Sequence, residues 1–133
     1  MAYDLALEFY LPVAPDKVMR LLTEPELIKA WSENNAIFEN RPGGKVELFD
    51  SWASGEVIKT GADELEYSWT VIEWDEEVQP SVVNYKLAPE NGATRVELTH
   101  TGLPNEEEMN KHESGWMQYF FGPMENYILD NDI

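Results

Sequence analysis

Between residues 36 and 102 the chain keeps a period of two; after residue 105 the period lengthens to that of a helix. Six runs alternate apolar and polar residues: AIFE (36–39), KVELF (45–49), SGEVIKT (54–60), ELEYSWTVI (64–72), SVVNYKL (81–87) and TRVELTHT (94–101). Alternate side chains of a strand point to opposite faces, so Leu65, Tyr67, Trp69 and Val71 share one face, and Glu64, Glu66, Ser68 and Thr70 the other. Turn residues fill the gaps at RPGG (41–44), KTGADE (59–64) and PENG (89–92), with Asn91-Gly92 the strongest hairpin signal. This is the pattern of an antiparallel sheet with one wet and one buried face.

The flanks supply the cover for that buried face. YDLALEFYL (3–11) reads as a further strand ended by Pro12. Pro15 opens a short helix carrying Val18, Leu21 and Leu22; Glu24-Pro25 breaks it, and a second carries Leu27, Ile28 and Trp31. At the other end Asn105 suits an N-cap, Glu108 completes a capping box, and Glu106 to Glu108 favour the positive end of the helix dipole. On the helix that follows, Met109, His112, Trp116, Tyr119, Phe120, Pro123 and Tyr127 fall within an arc of about 100°. Met117, Phe121, Met124 and Ile128 widen the apolar zone, and Ser114, Gln118 and Glu125 form the wet side. A curved sheet buries its inner face by wrapping round such a helix. The expectation is an α+β helix-grip fold in β-α-α-β6-α order, as a single domain over residues 1–133, with Pro123 kinking the helix.

Composition narrows the function classes. With 133 residues, 43% of them apolar, the chain can bury a sizeable core. No apolar run approaches the roughly 18 residues of a membrane span. The start, MAYDLALEFYLP, lacks the pattern of a signal peptide, and there is no cysteine, so a cytoplasmic protein is expected. Acidic residues outnumber basic ones 26 to 9, for a net charge of −17. Such a field repels phosphate backbones and anionic lipid, so neither nucleic acid nor membrane is an expected partner. A solvated surface is the plain reading of that charge, and a docking face for a basic partner the alternative.

The order of elements, the PGG turn (42–44), the Trp69 strand, GATRVELTHTGL (92–103) and HESGW (112–116) together resemble one family. It is the branch of the START-like (SRPBCC, birch-pollen-allergen-like) superfamily named for the activator of the heat-shock-protein-90 ATPase. The likeness covers residues 5–130. It rests chiefly on a G-x-T-x-V-x-L-x-H strand followed by H-x-x-G-W in the last helix. The resemblance implies a cavity between sheet and long helix. It also implies a choice of roles: binding or sequestering an apolar small molecule, cyclase-type catalysis, or assistance to the chaperone.

The residues favour the first role. No cysteine and no G-x-S-x-G elbow is present, so no catalytic nucleophile is assigned. His112-Glu113 suggests a zinc motif, but H-E-x-x-H requires histidine where Trp116 stands; no metal or cofactor is expected. His100 alternates with Val96 and Leu98 and so points inward, either as a pocket imidazole or as a buried, hydrogen-bonded core histidine. The ligand-lining candidates are Trp52, Tyr67, Trp69, His100, His112, Trp116, Tyr119 and Phe120. Indole and phenol groups among them can meet the polar end of a mostly apolar molecule. The expected partner is that molecule, with the chaperone as second reading and an enzyme using His100 and a tyrosine as third, in a monomer or homodimer. At physiological salt the protein should neither shift duplex DNA nor float with anionic vesicles. Micromolar affinity for either overturns the charge argument.

Overall fold

The alternating runs pair into one seven-stranded antiparallel sheet in the order β1-β7-β6-β5-β4-β3-β2, in a computed structural model that describes residues 3–133. The strands are β1 (Tyr3–Leu11), β2 (Ile37–Phe38), β3 (Lys45–Leu48), β4 (Ala53–Thr60), β5 (Glu64–Val71), β6 (Ser81–Glu90) and β7 (Ala93–Leu103). Strands β2 to β7 follow one another as a meander, and β1 adds beyond β7, with Phe9 opposite Val96. Asn91 and Gly92 both take positive φ, 53° and 82°, which the tight hairpin between β6 and β7 requires. In β5 the alternation is observed as read: Leu65, Tyr67, Trp69 and Val71 are buried, and the residues between them are half-exposed.

Because β1 and β2 lie at opposite edges, the chain between them must cross the sheet. Two short helices make that crossing, α1 (Pro15–Thr23) and α2 (Pro25–Ser32), each opened by its proline. Trp31 of α2 donates its indole N–H to the Leu21 carbonyl at 2.9 Å and sets its ring edge-on to Phe120 at 4.7 Å.

The C-terminal helical run departs from a regular α-helix. It consists of α3 (Glu106–Gly115), a π-helical turn (Trp116–Phe121) and α4 (Gly122–Asp130). Pro123 lies in the first turn of α4, where its missing N–H costs least, and the π turn before it carries the Gly122 N–H to the Met117 carbonyl. The turn also changes which residues face the sheet. His112, Trp116, Phe120, Met124 and Ile128 are all buried, at intervals of four. In a regular helix four such steps would drift by about 160°; the wider turn takes back part of that drift. Tyr119, expected on the buried arc, is rotated outward and is 61% exposed. Phe121 is turned inward instead and stacks on Phe9 at 4.3 Å.

The capping box is half made. The Asn105 side chain accepts from the Glu108 N–H at 2.8 Å, but the Glu108 carboxylate reaches Trp74 and Lys111 instead of turning back to the cap. Gly122 is the position that tests the π turn, since a Cβ there would lie 2.6 Å from the Met117 carbonyl oxygen. Gly122→Ala is expected to cost about 1–3 kcal/mol in urea unfolding. A change below about 0.5 kcal/mol would show that the turn relaxes into a regular helix.

Candidate functional site

Five tryptophans can only donate through their indole nitrogens, and all five N–H groups have protein acceptors. Two of these bonds determine the state of the histidines. Trp116 donates to His100 Nδ1 at 3.2 Å, so that nitrogen carries a lone pair and Nε2 the proton. His100 Nε2–H then donates to Ser81 Oγ at 2.8 Å, and the Ser81 hydroxyl donates to the Trp69 carbonyl at 2.8 Å. Trp69 in turn donates its indole N–H to His112 Nε2 at 3.1 Å, leaving His112 Nδ1–H to the Glu108 carbonyl at 2.8 Å. The relay runs from the helix through β7, β6 and β5 and back to the helix. Both imidazoles are neutral in it.

Burial agrees with this. His100 is fully buried, and burial, with the neighbouring His112 as a second cause, pushes its pKa down to about 3. The two rings meet edge to face at 5.1 Å. Burial also lowers the pKa of His112, against the pull of the Glu108 carbonyl and carboxylate. Deeper in the core the Tyr67 and Tyr85 hydroxyls bond each other, and burial raises both phenol pKa values above the ordinary range.

Beside the relay lies a half-open pocket of about 390 Å³, between the inner face of β5, the β3–β4 turn and the start of the long helical run. Six of the eight lining candidates border it: Trp52, Trp69, His112, Trp116, Tyr119 and Phe120. Tyr67 and His100 do not; Tyr67 packs under Phe38 and Tyr85, and His100 is sealed behind Trp116. The cavity expected between sheet and long helix is closed in the middle by Phe120, Phe121 and Met124, so the open volume is at one end of the helix.

Sequence reasoning missed Phe49, Glu73, Glu108, Lys111 and Gly115, which also border the pocket, as do Ser114 and Gln118 from the side of the helix read as wet. Phe49 stands in the β3–β4 turn, where Phe49, Asp50 and Ser51 take φ of 55°, 56° and 72° without a glycine among them. Left-handed backbone is costly for a bulky residue, and this turn is tied down. Asp50 accepts from the Asn35 N–H at 2.7 Å and donates its own N–H to the Asn35 carbonyl at 3.1 Å. The turn thereby holds Phe49 edge-on to Trp52 and Phe120, each at 6.2 Å. Nothing in the sequence marks this conformation, and Glu73 is one acid among 26.

Among the described residues no cluster of histidine and carboxylate groups is arranged to hold a metal ion, and no helix is long and apolar enough to cross a membrane. The relay has a pH signature. His100 takes up a proton near its ordinary value of 6.5 when unfolded, but only near 3 when folded. The unfolded chain therefore binds the extra proton between those values, and this group's stabilising contribution, complete above the unfolded value, is lost as pH falls. The expected slope is up to about 1.4 kcal/mol per pH unit. It should flatten in His100→Gln, as measured by denaturant unfolding across that range; equal slopes in the two proteins would contradict the sealed neutral imidazole.

The match to known proteins agrees with this architecture. The family model described as activator of Hsp90 ATPase homolog 1-like protein matches residues 12–128. The human activator of 90 kDa heat shock protein ATPase homolog 1 is 27% identical over 109 residues, covering 81% of this chain. The chain spans only about a third, 32%, of that relative's length. The crystal structure of an HSP90 activator from Plasmodium falciparum superposes with a TM-score of 0.85 at 21% identity, covering 95% of this chain and 96% of the other. That of Ara h 8.0201 superposes with a TM-score of 0.77 at 17% identity, covering 98% and 99%. The sheet wrapped on its C-terminal helix is the helix-grip fold of these structures, and the chain belongs to the activator of Hsp90 ATPase homolog 1-like family.

Proposed function

We propose that the protein binds a small, mostly apolar molecule in the pocket beside the Trp69–His112 pair. The observation that carries this is the pocket itself: about 390 Å³, walled by Phe49, Trp52, Trp69, Trp116 and Phe120. That size and lining suit a ligand of one or two fused rings. A catalytic reading has less to work with. Both imidazoles have both nitrogens engaged, and Tyr67 and Tyr85 are fully buried with their hydroxyls turned to each other. No poised acid–base pair faces the pocket among the described residues.

A second reading has its own support. The family and the human relative are named for activation of a chaperone ATPase, and a net charge of −17 offers a docking face for a basic surface. That activity belongs to a relative of which the match covers only 32%, so for this chain it is a proposal. Stimulation of the ATPase of heat-shock protein 90 by the purified protein would favour it.

The pocket reading is tested by titrating fused-ring apolar probes against tryptophan fluorescence. Saturable binding at micromolar level, about −8 kcal/mol, is expected, with a negative heat-capacity change from burial of apolar surface. Gly115 borders the pocket, and a Cβ there would meet only Tyr119 Cδ2 at 3.9 Å. Gly115→Leu should therefore fill the mouth and abolish binding while the protein stays folded. Absence of saturation across a chemically diverse probe set overturns the proposal.

A further inference from the structure

In the inner wall of the pocket the hydrogen-bond donors are already committed. The indole N–H groups of Trp52, Trp69 and Trp116 are already spent on Glu73 at 2.7 Å, on His112 and on His100. The remaining N–H of His112 is spent on the Glu108 carbonyl. Trp74, packed against His112 at 5.9 Å, donates to the Glu108 carboxylate at 2.7 Å. The bordering cation, Lys111, sits 3.2 Å from Glu107 and 3.3 Å from Glu108. Ser114 is committed to helix carbonyls. What remains is the ring faces of Phe49, Trp52 and Tyr119, the carboxylate oxygens of Glu73 and Glu108, and two neutral donors on exposed side chains of the helix, the Gln118 amide and the Tyr119 hydroxyl.

Carboxylates only accept, and aromatic faces attract positive charge through their quadrupole. An indole whose N–H is drawn to a carboxylate, as in Trp52, gains electron density in its ring, which strengthens that attraction. An anionic ligand would meet two carboxylates and an ammonium already paired. A ligand with a positive head meets acceptors and π faces, in a protein whose overall field of −17 also favours it.

We infer that the pocket takes an organic cation: a quaternary or protonated amine on an aromatic or apolar body, with the head between Trp52, Glu73 and Glu108. This rests on the pocket reading above. It adds a charge preference that an apolar cavity alone does not supply.

Three naphthalene probes of matched shape test it by isothermal titration of the full chain at physiological salt. One bears a trimethylammonium-methyl group, one the neutral neopentyl isostere, and one a carboxylate. The ammonium probe should bind about tenfold or more tighter than the neutral one, with the carboxylate weakest. Glu73→Gln should reduce that preference by about threefold or more. Glu26→Gln, which removes the same charge from α2 outside the pocket lining, should leave it unchanged. Equal affinity for all three probes overturns the charge inference and leaves the apolar pocket standing. Equal loss in the two variants also overturns it, because the preference then comes from the field of the whole surface. No binding by any probe overturns the pocket reading and this inference with it.

Discussion

The Trp116 to His100 bond, with the relay behind it, ties the long helical run to the centre of the sheet. An indole can only donate, so it defines which nitrogen of His100 is free to donate onward, and that direction passes through Ser81 to Trp69 and back to His112. Every polar side-chain atom of the relay is satisfied although its members are buried. Had either imidazole been left with an unmade bond, the desolvation cost would fall at about 1–3 kcal/mol on the most crowded part of the core. The aromatic packing around it, Trp69 on Trp116 at 5.2 Å and Trp116 on Phe120 at 4.8 Å, depends on the register this relay sets.

The π turn governs the other half of the packing. By re-phasing the helical run it keeps Trp116, Phe120, Met124 and Ile128 on the sheet, brings Phe121 onto Phe9, and turns Tyr119 to the rim. The interior is closed where the helix passes over β1, β7 and β6. It stays open where α3 meets β5 and the left-handed β3–β4 turn. The same aromatic residues therefore act as core at one end and as pocket wall at the other.

Chemistry at the open end follows from what the closed end consumes. The relay and the two tryptophan–carboxylate bonds take up the indole donors, so the pocket keeps acceptors and ring faces. A carboxylate at the rim, Glu108, illustrates the balance. Burial pushes its pKa up, but bonds from Trp74 and Lys111 outweigh that and hold it below its ordinary value, so it stays charged. The acidic surface expected to matter for partners at long range thus has a local counterpart beside the aromatic walls.

Much of this was legible in the sequence. Period-two runs, the Asn91-Gly92 turn, the two proline-opened helices and the broad aromatic face after Asn105 determined the seven strands, their inner faces and the helix they wrap, because side-chain direction in a strand or helix is a local property of the backbone. Trp69, His112, Trp116 and Phe120 at the pocket were legible for the same reason. Tertiary structure alone decided the rest. Whether His100 lines a cavity or is sealed behind Trp116 depends on which donor reaches it from a helix 16 residues away. Whether Tyr119 faces in or out depends on a π turn whose extra residue no periodicity reveals. The left-handed turn that presents Phe49 exists because Asn35, distant in sequence, binds both sides of Asp50. Each of these is a contact between segments that meet only after the sheet has closed on the helix, so no local pattern records it.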